Sequence, residues 1–264
     1  MLFTQTLASL QPVDGGWSAV IGEDWSQGRA TFGGMVAALG NEAMRRLVPA
    51  DRSLRGLDTT FIGPAFAGDV RIQAEILRVG KGVTVAYARL SSEGKIAATV
   101  TGIYGGARQS ELSLAPAVAV GVPGPGRLPD YESISTTGAP AFLRHFDFRW
   151  AEGSPPFAGT ASRAAKIYVR HKDTAPLTES HIVALIDCVP SAVLQLMRKP
   201  APSSSLTWNV QYLRHDHSFA PDAWWRIDSE LNYAGEGYSC ESCTLIDPNG
   251  VPAALARQIV AVFG

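Results

Sequence analysis

Residues 68–90, GDVRIQAEILRVGKGVTVAYARL, align without a gap on residues 223–245, AWWRIDSELNYAGEGYSCESCTL. Arg71 falls on Arg226, Ile72 on Ile227, Glu75 on Glu230, Gly80 on Gly235, Gly82 on Gly237 and Leu90 on Leu245. One residue further out of step, Gly94, Ala97 and Ala98 fall on Gly250, Ala253 and Ala254. The chain therefore writes one unit twice. Two such units bury a face of one against the other, and ligand clefts form at seams of this kind.

Working outward from the repeat, each copy reads as a helix followed by strands. In the first, residues 32–47, FGGMVAALGNEAMRRL, form a helix with Thr31 as N-cap and Pro49 as its stop. Its small residues on several faces suit a helix enclosed by other structure. Strands follow near residues 54–62, 70–79, 83–91 and 96–104, joined by short Gly-containing turns that imply antiparallel pairing. Residues 116–129, PAVAVGVPGPGRLP, read as a linker. The second copy opens with strands near 146–150 and 166–170, continues with a helix over 177–197, and closes with strands near 206–213, 224–232, 238–246 and 254–263. This predicts an α+β protein of three parts: a repeat over 1–107, a linker over 108–140 and a repeat over 141–264. The strands near Val70 and Trp224 are taken as the sheet edges.

Composition narrows the function. The 264 residues are 46% hydrophobic and 18% charged, with a net charge of −1. Lys and Arg are scattered, so neither nucleic acid nor an anionic membrane surface is indicated as a partner. No apolar run reaches the ~18 residues of a membrane span and the first residues lack a basic leader, which suits a cytoplasmic protein. Three cysteines make no disulfide framework. Cys240 and Cys243 form a CxxC inside a strand, where residues three apart point to opposite faces. His215 and His217 form an HxH without further ligands around it, so no metal and no cofactor are expected.

The helix start GRATFGGMVAAL at 28–39, the strand-rich block after it, FDFRW at 146–150 and the closing pattern resemble the thioesterase-like superfamily related to bacterial type II acyl-CoA thioesterases. The resemblance covers most of the chain apart from the linker. It implies a double hotdog fold, two repeats each with an antiparallel sheet wrapped around a long helix. It also implies hydrolysis of an acyl-CoA substrate, assembly as a homo-oligomer, and a site in which an Asp, a hydroxyl residue and a Gln position the attacking water. Asp187, in HIVALIDCVPSAVLQLM, matches the first. Ser205 matches the second, with Ser203, Ser204 and Thr207 as alternative registers, and Gln258 matches the third. The strand LTWNVQYLRH at 206–215 departs from the family's DHS-like pattern: Thr207, Trp208 and Leu213 stand where better-known members carry an Asp and two His.

The residues make their own case beside the resemblance. Asp187 interrupts an apolar run on an enclosed helix, and an unpaired carboxylate there costs several kcal/mol unless donors or water meet it. Ser205 and Gln258 are candidate donors. Desolvation would raise its pKa and hydrogen bonds would lower it. The alternative is that Asp187 caps the helix end before Pro190. The first copy has Gly102 at the place of Gln258 and no Asp on its helix. Gly33 and Gly34 have two readings: backbone N–H groups at a helix N-terminus that polarise a thioester carbonyl, or close helix packing. Trp208, Tyr212 and Trp224 are candidate acyl-tunnel residues, with core packing as the alternative. Two other functions stay open. A non-catalytic acyl-CoA binding protein is one; the other is an acyl-CoA hydratase or dehydratase, although no Asp here is followed five residues later by the His such enzymes carry.

Overall fold

The computed structural model describes residues 1–119, 121–131 and 138–263. The expected linker therefore lies partly outside the described residues, at 120 and 132–137, as does Gly264 at the end of the second repeat.

The chain begins with a short helix α1 (Phe3–Ala8), strands β1 (Gln11–Val13) and β2 (Gly16–Ile21), and a two-strand clip of β3 (Ser26–Gln27) and β4 (Ala30–Thr31). Helix α2 (Gly33–Arg45) follows, then β5 (Ser53–Phe61), β6 (Gly68–Val79), β7 (Val83–Ser92) and β8 (Lys95–Gly105). The second half runs β9 (Phe146–Glu152), β10 (Ala164–His171), helix α3 (Glu179–Asp187), β11 (Ser203–Tyr212), β12 (Trp225–Gly235), β13 (Tyr238–Ile246) and β14 (Pro252–Val262).

All but β3 and β4 form one antiparallel sheet of twelve strands, in the order β1-β2-β6-β7-β8-β5-β11-β14-β13-β12-β10-β9. That order reads the same from either end: β5 meets β11 at the centre, and β6 to β8 on one side answer β12 to β14 on the other. With α1 and the β3–β4 clip set aside, each half is two strands, a helix and four strands, so the repeat seen in the sequence is a repeat of topology. Glu93–Gly94 and Glu236–Gly237 each place two successive residues at positive φ between paired strands, the conformation of a tight type I′ hairpin.

Inward positions alternate along the strands, and both helices lie against that inner face. Helix α2 packs on β6, β7, β8 and α3, while α3 packs on α2 and β10. Buried side chains of both halves join in one core, from Phe32, Met35 and Leu39 to Ile182, Val183 and Leu185. A Cβ on Gly34 would lie 3.1 Å from Ala184 Cα, so the close crossing of the two helices depends on that glycine.

Several expectations are corrected. The helices are short, with 13 and 9 residues, rather than long. The second ends at Asp187, because Pro190 cannot supply the next backbone donor, and the chain resumes as a 3-10 turn at Ala192–Gln195. Thr31 closes β4; the residue before α2 is Phe32, which makes no side-chain cap. The strands near Val70 and Trp224 are interior ones, and the edges are β1 and β9. The expected first repeat lacked β1 and β2, whose counterparts β9 and β10 were identified in the second.

Candidate active site

Helix α3 crosses α2 so that its last residue, Asp187, meets the first turn of the other helix. A Cβ on Gly33 would sit 2.9 Å from Asp187 Oδ2 and 3.0 Å from the Phe61 ring. The two glycines thus let the carboxylate approach the positive end of α2. Asp187 also lines a small, partly open space with Ile186, Trp208, Glu241, Cys243 and Gln258. Asp187 keeps partial solvent contact. Burial pushes its carboxyl from the ordinary 3.8 up to about 7, against the pull of the Gly34 backbone N–H and with the like charge of Glu241 adding to the rise. A carboxylate of that basicity is half ready to take a proton at neutral pH.

The strands supply the rest. In β14, Gln258 stands between Trp208 of β11 and Glu241 of β13. A bulge between Ser205 and Thr207 shifts the register of β11. As a result Ser205 and Trp208 both turn inward although they are three apart, while Ser204 and Thr207 face solvent. The Ser205 hydroxyl donates to Gln258 Oε1 at 3.2 Å, and Gln258 Nε2 donates to Glu241 Oε1. The Glu241 carboxylate also accepts from Ser191 Oγ at 2.8 Å and the Ala192 backbone N–H at 2.7 Å.

The sequence-derived trio is therefore gathered unevenly. Asp187 and Gln258 line the same space, and Ser205 reaches it through its bond to Gln258. The expected donors to Asp187 are not Ser205 and Gln258: the Gln258 amide nitrogen is taken by Glu241, and the N–H beside Asp187 is that of Gly34. Nor does Asp187 cap its own helix end, since its side chain turns to α2. Gly33 and Gly34 serve close packing and a helix N-terminus at once, and the charge they face is Asp187. Trp208 lines the space, but Tyr212 does not; its hydroxyl lies near Glu179 and Tyr104 at the other end of the helices. Trp224 stacks at the surface under the guanidinium groups of Arg149, 4.8 Å away, and Arg170, 4.5 Å away. His215 packs against Arg55, and no group of three or more His, Cys, Asp or Glu suited to a metal occurs among the described residues.

Glu241 escaped the sequence reading, yet the gapless alignment carries its signal: it falls on Ala86. Both positions are inward-facing, on β7 and β13. Ala86 pairs with Gly102 as Glu241 pairs with Gln258, so the first copy has the same place with no polar side chain in it. There the ring of Tyr104 lies across Gly102, where a Cβ would come within 2.6 Å of it. The Tyr104 hydroxyl donates to Asn41 Oδ1 at 2.8 Å, and Asn41 Nδ2 donates to Ser180 Oγ at 3.0 Å. Asn41 thus faces the first turn of α3 as Asp187 faces the first turn of α2. One seam holds a carboxylate at an open space, and its symmetric counterpart is filled by a tyrosine and an amide.

This pairing of fold and site agrees with comparison to known proteins. Residues 21–105 match the family model of the acyl-CoA thioesterase N-terminal domain, and residues 122–262 that of the acyl-CoA thioesterase C-terminal domain. The chain belongs to the acyl-CoA thioesterase family and is a thioester hydrolase. Solved structures share the fold at low identity. A protein of unknown function with a hot dog fold from Alicyclobacillus acidocaldarius is 19% identical with a TM-score of 0.85, covering 99% of this chain and 98% of its own. The tesB protein of Mycobacterium avium subs paratuberculosis is 16% identical with a TM-score of 0.82, over 99% and 98%. The acyl-CoA thioesterase II TesB2 of Mycobacterium marinum is 18% identical with a TM-score of 0.72, over 98% of each chain. Comparison with curated protein sequences finds no match.

Proposed function

We propose that this double hotdog protein hydrolyses an acyl-CoA thioester to the free acid and CoA with a water molecule activated by Asp187, Gln258 and Ser205. The observation that carries the reading is the half-buried carboxylate at the seam of the two repeats, made basic by its surroundings and facing the space it shares with Trp208, Glu241 and Gln258. Asp187 takes a proton from water as the oxygen attacks the thioester carbonyl; the C–S bond then breaks and the departing CoA sulfur takes a proton back from the Asp187 carboxyl. The Gln258 amide, with one hydrogen committed to Glu241, keeps its second as a donor for the water or for the oxygen that gains charge. The Ser205 hydroxyl has its proton engaged with Gln258, so its oxygen is left as an acceptor. Trp208 supplies an apolar wall for the acyl part. The same reading divides the chain into repeats at 1–107 and 141–264, with the reactive residues all in the second.

Release of free CoA from short, medium, long and aromatic acyl-CoA thioesters tests it, with wild type run beside Asp187→Asn. General-base catalysis contributes about 10²–10⁴-fold, so the variant should lose at least about a hundredfold in kcat. Activity that rises with pH through about 7 should accompany it, as Asp187 sheds its proton. Tight binding of an acyl-CoA without turnover in wild type would replace this reading with that of a binding protein.

A further inference from the structure

We propose that Glu241 is a positioning residue for this reaction, holding the Gln258 amide in the one orientation that leaves Oε1 to the Ser205 hydroxyl. The inference rests on the hydrolytic reading above. An amide in a strand can present either end, and which end faces a neighbour is set by the partners it finds. Here the partner is a carboxylate, which only accepts, so it selects the nitrogen end of Gln258. The oxygen end is then directed to Ser205, which must donate.

Glu241 is itself held. Its second oxygen accepts both from Ser191 Oγ and from the Ala192 N–H that opens the 3-10 turn after α3. A neutral Gln at 241 cannot meet all these donors in the same arrangement. If its oxygen stays with Ser191 and Ala192, its nitrogen confronts Gln258, whose amide must then turn over. Gln258 would offer its nitrogen to Ser205, and the polarity of the chain from residue 191 to residue 205 would be reversed. The alternative rotamer puts an N–H against the Ala192 N–H, which leaves two donors facing each other.

The charge at 241 acts on the same space. Burial pushes the Glu241 pKa up while Ser191, Gln258 and Ala192 pull it down, and Glu241 in turn favours the protonated form of Asp187. Around these two carboxyls lie the thiols of Cys188 and Cys243, which burial keeps protonated, and Arg257, which lines the same space, with Asp228 close enough to act on Cys243. The first copy, with Ala86 at the matching place and a closed interior, has neither the anchor nor the amide.

The test is Glu241→Gln, assayed with the wild type and Asp187→Asn across pH 5 to 9. The expected result is a kcat at least about tenfold lower with KM changed less than about threefold, and an acid limb moved to lower pH as Asp187 loses its like-charged neighbour. A purely structural role would lower the amount of folded enzyme and leave the pH profile of the remainder in place. If Glu241→Gln does not fold, Ser191→Ala removes one anchor of the carboxylate from outside the reactive set and should lower kcat about threefold at constant KM. Wild-type kcat and an unmoved acid limb in Glu241→Gln, or wild-type kinetics in Ser191→Ala where only that variant folds, would overturn the proposal while an inactive Asp187→Asn leaves the hydrolytic reading standing. Full activity in Asp187→Asn would instead remove the reading on which the proposal rests.

Discussion

Asp187→Asn should make the protein more stable while making it inactive, and the gain should depend on pH. The carboxyl moves from its ordinary 3.8 in the unfolded chain to about 7 in the fold. At about 1.4 kcal/mol for each tenfold change in acidity, the charged form costs the folded state a ceiling of about 4 kcal/mol above pH 7. Partial solvent contact and the loss of the Gly34 N–H as a partner to charge reduce the net gain to roughly 2 kcal/mol. A group whose pKa is raised by folding favours the fold most below the unfolded value and loses that contribution as pH rises through the folded one. The advantage of the Asn variant is therefore full at pH 8, less than half at pH 5, and gone below about 3.8. Differential scanning calorimetry at pH 8 and pH 5 reads this directly. A change of about 2 kcal/mol in a chain of this length corresponds to a Tm roughly 4–8 °C higher at pH 8. A variant less stable than wild type at pH 8 would show that Asp187 holds the helix junction together, and would refute the assignment of a strained, reactive carboxylate.

Three further outcomes follow from the packing. Gly34→Ala would put a methyl group 2.5 Å from the Phe32 ring and 3.1 Å from Ala184 Cα, costing about 1–3 kcal/mol in denaturant unfolding and lowering kcat by displacing the first turn of α2 from Asp187. His171 and His181 are buried and held neutral, with pKa values lowered to about 3 and about 4 by desolvation; His181 Nδ1 accepts from the Thr178 N–H at 3.2 Å. Groups depressed in this way favour the fold above about 6.5 and lose it as pH falls, so in the Asp187→Asn background, free of that carboxyl's opposing trend, stability should drop by up to about 3 kcal/mol between pH 6.5 and 5; a flat Tm over that range would contradict it. Asp247 is buried at the β13–β14 turn and accepts from the N–H groups of Asn249 and Val251, both at 2.9 Å, and from Arg214 at 2.5 Å. Asp247→Ala should lower Tm by an amount equivalent to about 2 kcal/mol while leaving the kcat of folded enzyme near wild type.

The fold was legible where periodicity and repetition agree. Strands β5 to β8 and β11 to β14 could be drawn within a few residues, because alternating inward positions and Gly-containing turns are local signals. Strands β1 and β2 were missed although their counterparts FDFRW and KIYVR in the second copy were seen; the repeat constrains topology more than it preserves residues at the periphery. The helix after Leu177 was drawn past its true end because VLQLM continues an apolar pattern beyond Pro190, and the missing backbone donor outweighs that pattern. The edge strands were misplaced because pairing order between sequence-distant strands leaves no local trace.

At the site, Asp187 stood out as a charge within an apolar helix, and Gln258 through its contrast with Gly102. Glu241 gave the same kind of contrast with Ala86 and went unread, because a Glu in an alternating strand looks like an outward residue until the register is known. The bulge between Ser205 and Thr207 explains why the hydroxyl could not be placed from spacing alone: one extra residue reverses the face of everything before it. Tyr212 and Trp224 were left with two readings for a related reason, since an aromatic residue in a strand carries no mark of which seam, or which side of the sheet, it serves.

The most direct test of the account is a single turnover of wild-type enzyme, in excess over an acyl-CoA it cleaves, in water enriched in ¹⁸O. Attack by water held at Asp187 places one labelled oxygen in the free acid and none in the peptide that contains Asp187. Label in that peptide, with unlabelled acid released on the first turnover, would mean that the carboxylate itself attacks the thioester, and would contradict the water-activating role on which the account depends.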